Sequence, residues 1–273
     1  MKTTHFVLGN KGQVGAAIEF VLNACEDHEV TGFDLAGPKT CPTKGSIDVM
    51  HVTIPYGDEF LNIVGKWRVV LKENGLIIVH STVPVGTCDY LDAVHSPIRG
   101  IHPDLVGGIT TFVKFFGGAR AIEAAGYFAA CGCQAFPFAC ARSVEAMKLW
   151  STTQYGLSIA TEKAIHAYCA ELGLSFDVVY TLANITYNLG YSILGKTGVQ
   201  RPVLEHVPGP VGGHCVEPNF RLLNVQHPFV VFAHHILTED APEITLFYTE
   251  SFDDDLGVDF EADFDPENTN GED

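Results

Sequence analysis

The spacing of glycines and one carboxylate in the first 35 residues constrains the fold most. Thr4–Leu8 is a short apolar run that ends in glycine. Gly9-Asn10-Lys11-Gly12-Gln13-Val14-Gly15 follows, and Ala16 to Leu22 then shows helical periodicity. A second strand-like run, Glu29 to Leu35, places Asp34 19 residues beyond Gly15. Strand, glycine turn, helix and strand in this order predict a dinucleotide cradle. Glycines let backbone amides approach a pyrophosphate at the helix N-terminus, and a carboxylate on the next strand accepts the ribose hydroxyls. The candidate cofactor contacts are therefore Gly9, Asn10, Gly12, Gln13, Val14, Gly15 and Asp34. Aligned on Gly12 and Gly15, the usual first glycine is Asn10, with Gly9 one place earlier. Asn tolerates a left-handed backbone, so the turn is expected to survive. Asp34 favours NAD over NADP, because its charge would repel a 2′-phosphate. The alternative is an ordinary strand–helix turn without a ligand.

The alternation continues. Ser46 to Pro55 reads as a strand, Glu59 to Trp67 as a helix and Gly75 to Thr82 as a strand. Ala121 to Ala130 reads as a helix, and Cys133 to Phe138 as the last strand. This is the pattern of an α/β protein with a Rossmann-type, doubly wound parallel sheet. Ligands sit at the carboxyl ends of such strands, which adds Pro55, Ser81 and Thr82 to the cofactor contacts. From Ser143 to Gly173 helical periodicity is nearly unbroken, with Ser143 as the expected N-cap. Lys148, Thr152 and Tyr155 share a face of that helix. It is too long for a Rossmann connection and is expected to begin a helical domain that forms a homodimer. Phe176 to Asn188 suggests another helix, and Gly195 to Gly213 a loop. The expected division is 1–141 for NAD binding, 142–237 for the helical and catalytic-loop domain, and 238–273 for an acidic, flexible tail.

Charge narrows the partners. The net charge is -17, yet 14 of the 33 acids lie between Glu239 and Asp273, where there is no Lys or Arg. The rest of the chain sets 19 acids against 16 bases. No basic patch favours nucleic acid or an anionic membrane, and no apolar run is long enough to span a bilayer. The length, the core and the absence of a secretory leader make the eight cysteines those of a reduced, cytoplasmic protein. Cys131-Gly132-Cys133 lacks the spacer of common zinc or redox pairs and reads as structural. The twelve histidines form no metal-ligand spacing.

Pro208-Gly209-Pro210-Val211-Gly212-Gly213-His214-Cys215 brings a thiol to the end of a glycine loop. Such a thiol is either presented to a substrate or buried in a turn. Together with His80-Ser81-Thr82-Val83-Pro84-Val85-Gly86-Thr87 and Glu145-Ala146-Met147-Lys148, this loop resembles the nucleotide-sugar 6-dehydrogenases. These are the UDP-glucose, GDP-mannose and UDP-N-acetylmannosamine dehydrogenases, and the likeness runs over roughly residues 4 to 225.

The resemblance implies NAD-dependent oxidation of a sugar C6 alcohol to an aldehyde and capture of that aldehyde by Cys215. A second hydride transfer then leaves a thioester, which water hydrolyses. It further implies that Lys148 stabilises the developing oxyanion and that Thr82 stands beside the nicotinamide or a catalytic water. Gly212, Gly213, Arg99, His102 and Thr152 would contact a phosphorylated or nucleotide-linked substrate.

The departures from the family are specific. Ile98 stands where the family has a glutamate, Thr152 where it has an asparagine, and Asn219 where it has an aspartate. The C-terminal UDP-binding domain is replaced by the acidic tail, so the chain resembles a truncated member. Arg99, His102 and Lys114 could compensate by binding a phosphate, or they are exposed loop residues. Two other functions stay open. One is a two-electron β-hydroxyacid-type dehydrogenase in which only Lys148 is essential. The other is a non-catalytic cofactor-binding or assembly protein.

Overall fold

A computed structural model describes residues 2–37, 41–100, 103–211, 216–223 and 228–237, apart from the side chains of 228, 234 and 235. The β-branched and aromatic runs of the first half become β1 (Thr3–Leu8), β2 (His28–Phe33), β3 (Ile47–Val52) and β4 (Leu71–Val79). Helix α1 (Gln13–Leu22) joins β1 to β2, and α2 (Phe60–Trp67) precedes β4. Then come α3 (Thr87–Tyr90), β5 (Val94–His95), α4 (Leu105–Thr111), β6 (Lys114–Gly117), α5 (Ala121–Ala130) and β7 (Ala135–Phe138). The seven strands lie in the order β2-β1-β3-β4-β5-β6-β7. The order reverses at β1, between β2 and β3, so the crevice for a ligand opens there.

The sheet is mostly parallel, as expected, with one antiparallel pair. β1 to β5 run together, whereas β6 is antiparallel to β5 and β7 follows β6. A parallel neighbour needs a crossover that returns the chain to the starting end of the sheet. Between β5 and β6 the regular structure is only the seven-residue α4, and β6 enters from the opposite end.

Alternation along the strands feeds two cores. Val7, Val49, Leu76 and Ile78 face Ile18, Leu22, Phe116 and Phe128 on one side. Phe6, Met50, Val52 and Val79 face Phe60, Val64 and Leu91 on the other. Beyond the sheet, α6 (Ala141–Leu172) runs for 32 residues and stops at Gly173 in the left-handed conformation. It begins two residues before Ser143, so Ser143 is not its cap. A π-helical stretch, Asp177–Leu182, leads into α7 (Ala183–Ile193). Helices α8 (Val216–Arg221) and α9 (Pro228–Leu237) pack Phe220, Leu223, Val230, Ala233 and Leu237 with Leu149 of α6 in a third, smaller core. Among the described residues no helix is long and apolar enough to cross a membrane.

Candidate active site

The glycine turn is fixed by close backbone approach. Gly9 takes φ +96, and a Cβ on Gly15 would stand 2.1 Å from the Gly9 carbonyl oxygen and 2.7 Å from Thr53 Oγ1. Only glycine fits at Gly15, and α1 can begin directly beneath the turn. Thr53 Oγ1, at the end of β3, donates to the Leu8 carbonyl at 2.8 Å and braces the same turn. Asn10 is not left-handed as expected. Among the described non-glycine residues only Asp92 has positive φ. Gly9 supplies the unusual conformation, and Asn10 instead sends Nδ2 to Glu19 Oε2 at 2.9 Å. Its amide lies on Gly32, where any Cβ would come within 2.4 Å. The Asp34 carboxylate bends over the turn, accepting from Lys11 N at 3.2 Å and Ala36 N at 2.9 Å. Each carboxylate oxygen keeps acceptor capacity for a hydroxyl. Gly12 precedes α1 without a side-chain cap, and Gln13 is exposed at the first helical position. An uncapped helix start beside a carboxylate on the next strand suits a dinucleotide.

A cavity of about 380 Å³ opens at the carboxyl ends of β3 and β4. It brings together Val14, Pro55, Ser81, Thr82 and Lys148 from the expected set, and it adds Thr53, Tyr56, His80 and Ile98. Ser81 Oγ donates to the Ile54 carbonyl at 2.6 Å, tying the two strand ends together. Thr82 and Lys148 come from segments 66 positions apart. They line one cavity because Glu145, fully buried near the start of α6, accepts from the backbone of the loop after β4. Gly86 N donates to its Oε2 at 2.6 Å and Cys88 N to its Oε1 at 2.8 Å. Lys148 follows one turn later on the same helix face. Its Nζ donates to the Ile98 carbonyl at 2.9 Å. Ile98 thus contributes a backbone acceptor where a side-chain acid was expected. Burial, together with Glu145, drives the Cys88 thiol well above its usual range, so Cys88 is inert.

Other expected residues lie elsewhere. Thr152 Oγ1 bonds back to the Lys148 and Leu149 carbonyls, at 3.0 Å each, and does not line the cavity. Arg99 lies over the Phe112 and Phe115 rings, with Nη1 towards the Val113 carbonyl. Lys114 is not an exposed loop residue: it opens β6 and is 3% exposed. Asn219 does line the cavity, from α8. His102, Gly212, Gly213, His214 and Cys215 lie outside the described residues, as does the acidic tail. Among the described residues no His/Cys/Asp/Glu group could hold a metal. Glu145 and His80 were present in the quoted motifs but carried no assignment, because their partners are distant in sequence.

The reversal of strand order at β1, the glycine turn and the long helix after the sheet define a Rossmann-type dinucleotide fold with an appended helical part. Solved structures share it. UDP-D-ManNAc dehydrogenase from Pyrococcus horikoshii matches with a TM-score of 0.70 at 18% identity, over 86% of this chain and 68% of that one. An NDP-N-acetyl-D-galactosaminuronic acid dehydrogenase from Methanosarcina mazei Go1 gives 0.63 at 19% identity, over 86% and 66%. The Mycobacterium tuberculosis 3-hydroxyisobutyrate dehydrogenase, solved with L-serine, gives 0.61 at 18% identity, over 85% and 91%. The likeness is one of fold, and the chain spans about two thirds of each sugar enzyme's length. No protein-family model and no curated protein matches the chain in sequence.

Proposed function

We propose that the chain is an NAD-dependent dehydrogenase that oxidises a primary alcohol, on a nucleotide sugar, towards a carboxylate. The observation that carries this reading is the cavity where Thr82 and Lys148 meet beside the glycine turn. The uncapped start of α1, Gly9, Gly12 and Gly15 would hold the pyrophosphate, and Asp34 the ribose hydroxyls. When bound, the nicotinamide supplies a hydride acceptor. Lys148, oriented by the Ile98 carbonyl and by Glu145 one turn earlier, stabilises the oxygen that gains negative charge as the C–H bond breaks. Thr82 positions that oxygen or a water. Cys215 is the nucleophile that captures the aldehyde, so that the second oxidation ends in a thioester and then an acid. The protein works as a homodimer through α6 and α7, where Leu189 and Ile193 of α7 are exposed.

One observation favours a second reading. The fold matches the 3-hydroxyisobutyrate dehydrogenase with a TM-score of 0.61, close to the 0.63 and 0.70 of the two sugar enzymes. A two-electron oxidation of a small hydroxyacid would use Lys148 alone. NADH formation across nucleotide sugars and 3-hydroxyacids, counted per substrate consumed, separates the two. Two NADH per sugar are expected, with Lys148→Ala slowing hydride transfer on the order of 10²–10³-fold. One NADH per hydroxyacid, unchanged in Cys215→Ala, would establish the second reading in place of the first.

A further inference from the structure

A row of buried side chains crosses the face of the sheet beneath α1 and α5, and the function proposed above leaves it unused. The strand period of two places His5 of β1, His51 of β3 and His80, just past β4, on this one face. The register pairs His5 with Val49 and His51 with Ile78, so each histidine stands two residues further along than the partner of the one before. The row therefore climbs towards the carboxyl ends of the strands, where the cavity lies. His5 Nδ1 is 3.0 Å from His51 Nε2, and His51 Nδ1 is 3.0 Å from His80 Nε2. His80 Nδ1 is 2.8 Å from the Ser96 carbonyl and 3.4 Å from Lys114 Nζ, which itself donates to Ser96 O at 3.1 Å.

These contacts fix the tautomers. A carbonyl only accepts, so His80 carries its proton on Nδ1 and offers Nε2 as an acceptor. His51 must then donate from Nδ1, and His5 likewise. His5 Nε2 is left as a lone pair, and it is a buried atom without a hydrogen-bond partner. Burial keeps the rings neutral: it holds His5 down to about 3, and His51 and His80 well below the usual histidine range. Burial also lowers Lys114 to about 7, where Cys133 and Lys148 act on it as well. At the other end, His28 of β2 and Tyr127 of α5 pack on His5 at 4.3 and 5.2 Å between ring centres. Cys131 Sγ is 3.7 Å from His28 Nδ1, and the charge of Asp48 also reaches His5. His95 of β5 acts on His80 by charge and bonds the Ser81 carbonyl through Nε2 at 3.2 Å.

We propose that this histidine row is the route by which the buried Lys114 gains and loses its proton. A proton arriving past His28 and Tyr127, which pack on His5, bonds to the buried His5 Nε2. The His5 Nδ1 proton passes to His51 Nε2, the His51 Nδ1 proton to His80 Nε2, and the His80 Nδ1 proton to the lone pair of the neutral Lys114 amine. Each ring ends neutral with its proton on Nε2, and Lys114 becomes an ammonium. The reverse sequence restores the start. Lys114 and Lys148 hold the two ends of one segment, through the Ser96 and Ile98 carbonyls, so the charge on one bears on the other. Resting on the dehydrogenase function proposed above, this lets the charge of Lys114, and through it the field at Lys148 beside the site, change without the core opening.

The test uses the full chain without cofactor or substrate, so its outcome is separate from that of the dehydrogenase assay. In protein labelled with ¹⁵N at histidine and lysine, His5, His51 and His80 should all be neutral and protonated on Nδ1 at pH 8. A cation or an Nε2–H tautomer in the row overturns the proposal. His51→Gln keeps an acceptor and a donor but cannot pass a proton on. It should slow exchange of the Lys114 Nζ protons with water on the order of 10²-fold. The Lys114 midpoint should stay within about one pH unit of wild type. His5→Gln, at the end of the row away from Lys114, is the second variant and should slow exchange similarly. Exchange as fast as wild type in either folded variant overturns the route.

Discussion

The sheet half of the chain closes on itself, whereas the helical half does not. Both faces of the sheet are covered, and α1, α2 and α5 each bury apolar side chains against it. Helix α7 buries no residue at all, and Leu189 and Ile193 stand 59% and 78% exposed. A helix gains most of its stability by packing an apolar face. The sheet half therefore carries its own stability, and the helical half presents a surface of the kind that a partner covers. The difference also separates two sorts of polar residue. The sheet half encloses histidines and a lysine deep in its core, while the Thr152, Thr153 and Ser158 hydroxyls of α6 bond back to their own helix.

Three experiments would break or sharpen this contrast. The largest effect is expected at Gly15, where a side chain meets backbone rather than a yielding neighbour. Gly15→Val should cost more than about 4 kcal/mol in urea unfolding and abolish the proposed NAD binding. A variant as stable as wild type would mean that the turn is not the rigid centre of the sheet half.

Acid should act next, and also on the sheet half. Burial, reinforced by His28, holds His5 at about 3, and burial holds His95 at about 3. The unfolded chain takes up these protons as the pH falls through about 6.5, while the native state stays neutral. Stability is therefore complete above pH 6.5 and lost progressively towards pH 3. Between pH 6.5 and 5 each ring should cost about 2 kcal/mol. Lys114 acts in another window, with stability rising from pH 7 towards 10.5, where the native lysine is neutral and the unfolded one still holds its proton. Urea midpoints at pH 7 and pH 5 read the first effect, and equal midpoints would show that the buried histidines are charged in the native state.

The smallest effect on the fold is expected at α7. The double variant Leu189→Asp, Ile193→Asp should change the stability of the separate chain by less than about 0.5 kcal/mol per site. The same variant should convert a dimer to a monomer at micromolar concentration by light scattering. A monomeric wild-type protein would refute the dimer and leave the exposed face of α7 unexplained.

Much of the fold was legible because it is local. Helix α5 was located to the residue, and β1, β2, β3, β7, α1 and α2 to within a few residues. Period-two and period-3.6 patterns with glycine punctuation carry that information. The two-residue β5, the four-residue α3 and β6, and the seven-residue α4 escaped, since they are too short to show a period. The reversed direction of β6 escaped with them. Of the candidate site, Thr82 and Lys148 were named from motifs, and one cavity holds both. Asn10 was expected to take the left-handed conformation of the turn, but the left-handed residue is Gly9, and Asn10 instead bonds Glu19 and lies on Gly32.

By itself, then, the sequence determined the glycine turn, the alternation of strands and helices, and the long helix that follows them. Each depends on residues within one or two turns of one another. Only the tertiary structure decided that Glu145 fastens the loop after β4 to α6, that Ile98 serves through its carbonyl, and that Lys114 is buried. It also decided that His5, His51 and His80 form one row. Nothing in three histidines 46 and 29 positions apart marks them as neighbours. Strand register brings them together, and register is set by which face of each strand the core buries.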